Sequence, residues 1–197
     1  MKKLLVASAN QGKVREIQAL LQDTDINLFT PDDLHLFTDV EEDGVTYAEN
    51  AAKKALFFAR TSGMLTLSDD SGLEVVVLNG APGIFSARYA PQLGAKDADR
   101  RGFLLQQLSP YPRPWAARFH CTVALASPDG TVHLSEGVCQ GEIIPQERGA
   151  NGFGYDPIFL IPELGRTMAE LDMDEKNRLS HRAQAVLAIR PVLLSLL

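Results

Sequence analysis

The sequence predicts an α/β fold with a mixed β-sheet, on three observations. Short apolar runs near the amino terminus alternate with amphipathic helical stretches, two β-rich segments flank Pro128-Asp129-Gly130, and the chain ends in a long helical region. Alternation of strand and helix builds parallel pairs, whereas a hairpin builds antiparallel ones, so the sheet is expected to contain both.

The elements follow in order. Residues 4–7 form a short apolar run that gives way to a polar loop, after which Val14, Ile17, Leu20 and Leu21 recur at helical spacing. Residues 27–29 read as a second short strand and Thr30-Pro31-Asp32-Asp33 as a turn. After the acidic loop Glu41-Glu42-Asp43-Gly44, Thr46 and Glu49 have the spacing of a capping box, opening an alanine-rich helix that closes before Gly63. Residues 65–67 form a strand leading into a loop at Ser68-Asp69-Asp70-Ser71-Gly72. Residues 73–78 form a buried strand that turns at Asn79-Gly80. A helix is expected over residues 97–108, and strands over residues 118–125 and 132–144. A glycine-dense loop, residues 149–157, precedes a strand at 158–161, and the remainder is helical with Pro191 expected to kink or interrupt it.

A chain of 197 residues with 45% hydrophobic composition supports one domain over residues 1–197, with room for two lobes. The formal net charge of −6, with no run of Lys and Arg, argues against nucleic-acid binding, although a cleft can still gather cations for a small anion. No segment is long and apolar enough to span a membrane. Lys2 and Lys3 precede a run ending in Ala7-Ser8-Ala9 that imitates a signal peptide, but residues 4–7 fall short of the roughly 7–15 apolar residues required. Cys121 and Cys139, the only cysteines, show neither zinc nor disulfide spacing, and a cytoplasmic protein with two reduced, buried thiols is expected.

Several stretches carry chemistry. Ser8-Ala9-Asn10-Gln11-Gly12-Lys13 joins a strand to a helix amino terminus, where free N–H groups and the helix dipole favour a phosphate and Lys13 adds a charge. It is not a Walker A loop, since Val14 follows the lysine. Asp69 and Asp70 repel each other unless a cation or donors compensate them, and Mg²⁺ is the natural compensator, with Glu41 or Glu42 as a further ligand. A pair of solvated aspartates in a turn is the competing reading. Their adjacency disfavours a haloacid-dehalogenase-type aspartyl nucleophile, which needs one intervening residue. Asn50 and Lys54, four apart, project from one helix face beside the acidic loop. Phe153 and Tyr155, set among Gly152, Gly154 and their neighbours, suit stacking on a planar ligand, with burial of both aromatics in the core as the alternative. Lys176 and His181 lie five residues apart and cannot share one face of a continuous helix, so Ser180 is expected to cap a new one. His120 and His133 read as ordinary strand residues.

In this order the motifs resemble the inosine/xanthosine triphosphate pyrophosphatases. The matching stretches are residues 8–13, Glu49-Asn50-Ala51 with Lys54, Asp69-Asp70-Ser71-Gly72-Leu73, Gly80-Ala81-Pro82-Gly83 with Ser86-Ala87-Arg88-Tyr89, Gly152-Phe153-Gly154-Tyr155-Asp156-Pro157, and Glu175-Lys176 with Ser180-His181-Arg182. The chain departs from the pattern at Ser8, where threonine is usual, and at Asn151, where glycine is common. The resemblance implies an elongated, two-lobed domain with a central cleft, usually homodimeric. It implies Mg²⁺-dependent hydrolysis of deaminated purine nucleoside triphosphates (dITP, ITP, XTP) to monophosphate and pyrophosphate. Residues 8–13 and Lys54 would hold the triphosphate. Asp70 would be the catalytic and metal residue with Glu41 or Glu42 nearby, and Ser71 would contact substrate. Phe153, Gly154, Tyr155, Asp156, Lys176, His181 and Arg182 would surround the base and sugar. A nucleotide-sensing module without catalysis and a small nucleotide phosphotransferase are the rival readings.

Overall fold

In the computed structural model, which describes residues 2–38 and 40–197, strand β1 (Lys2–Val6) keeps Leu4, Leu5 and Val6 out of solvent, the pattern of a strand covered on both faces. It pairs in parallel with β2 (Ile26–Phe29), Leu4 against Leu28, and with β3 (Thr66–Val75), Leu5 against Thr66. β4 (Trp115–Ala126) and β5 (Val132–Ile143) are the two arms expected around Pro128-Asp129-Gly130. β6 (Phe159–Ile161) lies antiparallel to β5 and to β7 (Arg166–Thr167). The seven-stranded sheet, ordered β2-β1-β3-β4-β5-β6-β7, is therefore mixed, as the sequence predicts.

The helices begin where side chains can take up their first N–H groups. Asn10 caps α1 (Gln11–Leu20), accepting from the N–H of Gly12 and Lys13, and Thr46 caps α2 (Tyr47–Ser62), accepting from the N–H of Glu49. The carboxylate of Glu49 receives the Val45 N–H rather than that of Thr46, so the expected reciprocal bond is made one residue earlier. Gly63, at φ +68°, closes α2 in the left-handed region that glycine tolerates. α3 (Asp97–Leu108) has the predicted bounds. The carboxy-terminal helical stretch divides into α4 (Met173–Leu179) and α5 (His181–Leu196) around Ser180, which is extended at φ −66° and ψ 153°. The break puts Lys176 and His181 on separate helices, and α5 runs through Pro191 without interruption.

Two expectations are corrected. Ser68-Asp69-Asp70-Ser71-Gly72 is not a loop between two strands but the middle of the single strand β3, and residues 76–78 form a 3₁₀ turn instead of extending it. The chain divides into two compact units, each assembled from separated stretches: residues 1–70, 121–137 and 181–197, and residues 71–120 and 138–180. The first is centred on Leu4, Val6, Ile17, Leu67, Val123 and Val186, and the second on Leu73, Leu104, Phe119, Ile158, Phe159 and Met168. Cys121 and Cys139 are both free and buried. Among the described residues no helix is long and apolar enough to cross a membrane.

Candidate active site

In the first unit, α1 starts directly after the loop that follows β1. Ser8 Oγ accepts the Asn10 N–H at 3.2 Å, and Asn10 Oδ1 accepts those of Gly12 and Lys13 at 2.8 and 3.2 Å. Asn10 thus takes up two of the helix donors that the sequence reading reserved for phosphate, leaving the Lys13 ammonium as the loop's strongest attraction for an anion. That ammonium lies 3.1 Å from Asp69 Oδ2.

Successive residues of a strand point to opposite faces, and Asp69 and Asp70 accordingly meet different partners. Asp69 is held by Lys13 and by Arg182, whose Nε donates to Oδ2 at 3.1 Å. Arg182, only 1% exposed, also pairs with Glu16 of α1. Burial alone would raise the Asp69 carboxyl, but the charges of Lys13, Arg182 and Lys54 outweigh it and hold the group well below the ordinary carboxylate range. Asp70 Oδ2 accepts from Asn50 Nδ2 at 3.0 Å, while Asn50 Oδ1 takes the Gly44 N–H at 2.8 Å. Here burial dominates and lifts the Asp70 pKa above its usual value; Lys13 and the Asn50 hydrogen bond oppose the shift, and the negative charge of Glu42 adds to it. Lys54 contacts Glu42 at 2.5 Å, and the charges of Asp69, Glu42 and Asp70 raise its pKa against the effect of burial.

These donors fit a magnesium ion. A buried carboxylate at Asp70, burdened by the like charge of Glu42, presents hard oxygen ligands whose repulsion a cation would relieve. Glu41 is exposed, whereas Glu42 is half-buried and tied to Lys54, so Glu42 is the better placed of the two. Among the described residues no three His, Cys, Asp or Glu side chains gather as a metal cage. His181 and Arg182 open α5, and a Cβ on Gly137 of β5 would stand 2.1 Å from the His181 carbonyl oxygen, so strand and helix backbone meet directly there.

In the second unit, Ser71 follows Asp70 along β3, and the glycine-rich loop is organised by Asp156. This carboxylate, buried at 3% exposure, accepts the Phe153 N–H at 3.0 Å and pairs with Lys176 Nζ at 2.6 Å. Lys176 in turn stands 5.2 Å from the centroid of the Phe153 ring. The two expected roles for the aromatics divide: Tyr155 is buried and donates its hydroxyl to the Ser86 carbonyl, whereas Phe153 is half-buried. Gly152 is obligatory, because at φ +73° an added Cβ would lie 2.0 Å from Asp156 Oδ2. Asn151 has no positive φ, and it anchors the loop by donating from its backbone to Ala169 and from its side chain to Leu171. Sequence reasoning passed over Glu16, the buried partner of Arg182. It also passed over Asp97 and Arg101 of α3, which hold the Gly154 N–H at 2.7 Å and carbonyl at 2.9 Å. Glu16 interrupts the apolar pattern of α1, which was its one visible signal.

Lysines beside paired carboxylates in the first unit suit an α/β protein that handles a small phosphate-bearing molecule. The chain belongs to the Ham1 family, whose model matches residues 4–192. The dITP/XTP pyrophosphatase of Desulforamulus reducens is 46% identical over 185 residues, covering 93% of this chain and 92% of that protein. The protein of the same name from Geobacter sulfurreducens is 45% identical over 192 residues, covering 96% of each. Among solved structures, a HAM1 protein from Coxiella burnetii is similar with a TM-score of 0.88 at 42% identity, over 99% of this chain and 100% of that one.

Proposed function

We propose that this protein hydrolyses the deaminated purine nucleoside triphosphates dITP, ITP and XTP to the monophosphate and pyrophosphate, with Mg²⁺, as a cytoplasmic homodimer. The observation that carries the reading is the Asp70 carboxylate, buried, raised in pKa and set among Lys13, Lys54 and Glu42 in a Ham1-family chain. Asp70 and Glu42 would hold the ion, which supplies charge neutralisation at the phosphates.

Asp70 orients the attacking water, since an aspartate near its ordinary pKa of about 3.9 is a weak base on its own. Lys13 and Lys54 offset negative charge on the triphosphate and on departing pyrophosphate, with residues 8–12 shaping the cradle around them. In the second unit Phe153, Gly154, Asp156 and Lys176 form the side offered to base and sugar, with Tyr155 supporting the loop from the core, and Ser71 contacts substrate. Hypoxanthine and xanthine carry an oxygen where adenine carries an amino group. Donors aimed at that oxygen are left unpaired by ATP, which penalises the wrong base.

Incubation with ITP and Mg²⁺ tests the reading by its products. Pyrophosphate and IMP are expected, and Asp70→Asn is expected to bind nucleotide while releasing neither. Unchanged nucleotide would point to a sensor and transfer to an acceptor would point to a kinase, and either would overturn the assignment.

A further inference from the structure

Gly154 is gripped on both sides by one helix. Its N–H donates to Asp97 Oδ2 at 2.7 Å, and its carbonyl oxygen accepts from Arg101 Nη1 at 2.9 Å. Asp97 and Arg101 are four residues apart in α3 and so share a face. Arg101 is itself fixed by a two-point pair with Glu147, from Nε at 2.8 Å and Nη2 at 2.9 Å. Arg100 pairs with Asp97, and the Arg101 side chain is only 12% exposed. All of these groups lie in the second unit.

The grip falls on the glycine next to a backbone group, the Phe153 N–H, that the loop's Asp156 side chain takes up. Gly152 and Gly154 both sit at positive φ, +73° and +60°, and glycine reaches that region while losing more conformational entropy on ordering than any other residue. Phe153 lies between them, and its ring position depends on the two flanking backbones. Asp156 fixes one side through the Phe153 N–H, while the Gly154 backbone is fixed from α3.

We propose that Asp97 and Arg101 are positioning residues for purine recognition: by clamping Gly154 they fix the Phe153 ring and so set affinity for the base without touching the ligand. The proposal rests on reading this loop as the base-binding loop. It predicts an effect confined to the base half of the substrate, because neither residue contacts the groups assigned to phosphate.

Steady-state kinetics on the full-length protein decide it, with ITP as substrate and inorganic tripolyphosphate, which has no base, as competitive inhibitor. Arg101→Met should raise KM for ITP about fivefold or more, leave kcat within about twofold and leave tripolyphosphate inhibition unchanged. Arg101→Lys, which keeps one donor for the Gly154 carbonyl, should recover much of the KM. Asp97→Ala removes the other half of the clamp at a partly exposed carboxylate, should raise KM alike, and carries the test alone if Arg101→Met does not fold. An unchanged KM in the folded variants would overturn the proposal, as would a parallel rise in KM and in the tripolyphosphate inhibition constant. A wild-type protein that leaves ITP intact would instead overturn the reading of the loop on which the proposal stands.

Discussion

Asp69 and Asp70 share a strand and a residue type, yet their surroundings push them in opposite directions. Asp69 meets Lys13 and Arg182 and stays ionised far into acid, whereas Asp70 meets Asn50 and feels Glu42, so burial prevails. The first is a fixed counter-charge, and the second is the more readily protonated of the two. Arg182 is central to this difference, because its guanidinium spans Asp69 and Glu16 with almost no solvent contact. Removing one partner of a buried charge group leaves the others uncompensated, at a cost of about 3–5 kcal/mol. Arg182→Met, similar in bulk but uncharged, should therefore lower the unfolding free energy measured in urea by that order, with a lower midpoint, and Glu16→Gln by less, because Asp69 retains both cations. If Arg182→Met unfolds at the wild-type midpoint, the network contributes nothing net to stability.

At the scale of elements, the sequence is most legible where a local rule and the tertiary environment agree. α2 has its Thr46 cap and its Gly63 stop, α3 has its predicted bounds, and β1 is a strand because Leu4, Leu5 and Val6 in succession leave no polar face. The misreadings are places where partners far along the chain overrule local chemistry. Asp69-Asp70-Ser71-Gly72 has turn composition, but Lys13, Arg182 and Asn50 meet the carboxylates, so the strand need not break. β7 is only two residues long and exists through its pairing with β6, Leu160 against Thr167, which no periodicity reveals. α5 passes Pro191 because Ile189 and Leu193 are buried in the first unit's core on either side of it. The candidate site divides the same way. Lys13, Lys54 and Asp70 stand out as charges at informative positions, whereas the α3 residues bind the backbone of a loop more than fifty residues away, and backbone partners leave no sequence signature. The glycine-rich loop offers a test at this scale. Gly152→Ala and Gly154→Ala both place a Cβ at positive φ, a strain of about 1–3 kcal/mol, but only the first meets the Asp156 carboxylate. Gly152→Ala should melt at the lower temperature, with each additional 1 kcal/mol appearing as about 2–4 °C, and should weaken ITP binding more. Equal melting temperatures would mean that Asp156 moves aside without consequence.

Across the whole molecule, the two units share one electrostatic bias: several of their acids are held protonated by burial. Burial raises Cys121 in the first unit, and Cys139, Tyr155 and Tyr89 in the second, above their ordinary values. Cys139 moves from 9.0 to about 11, chiefly through burial, with Glu163 and Asp156 adding to the shift. For an acid whose pKa is higher in the folded chain, the folded state holds more protons than the unfolded state between the two values. Stability therefore falls as pH rises through that window and is unaffected by the group well below it. For Cys139 the window runs from pH 9.0 to about 11, and each unit of difference is worth about 1.4 kcal/mol. Lys54, a base with a raised pKa, adds a loss of the same sign at still higher pH. Urea denaturation at intervals from pH 8 to pH 10.5 should thus show a steep alkaline decline in the wild-type protein. Cys139→Ala begins lower because a buried side chain is truncated, but it lacks the titrating thiol. Its decline above pH 9 should be shallower by up to about 2 kcal/mol over the range. Parallel curves for the two proteins would mean that the Cys139 thiol ionises as readily folded as unfolded, and that the alkaline limit is set by the tyrosines, Cys121 and Lys54.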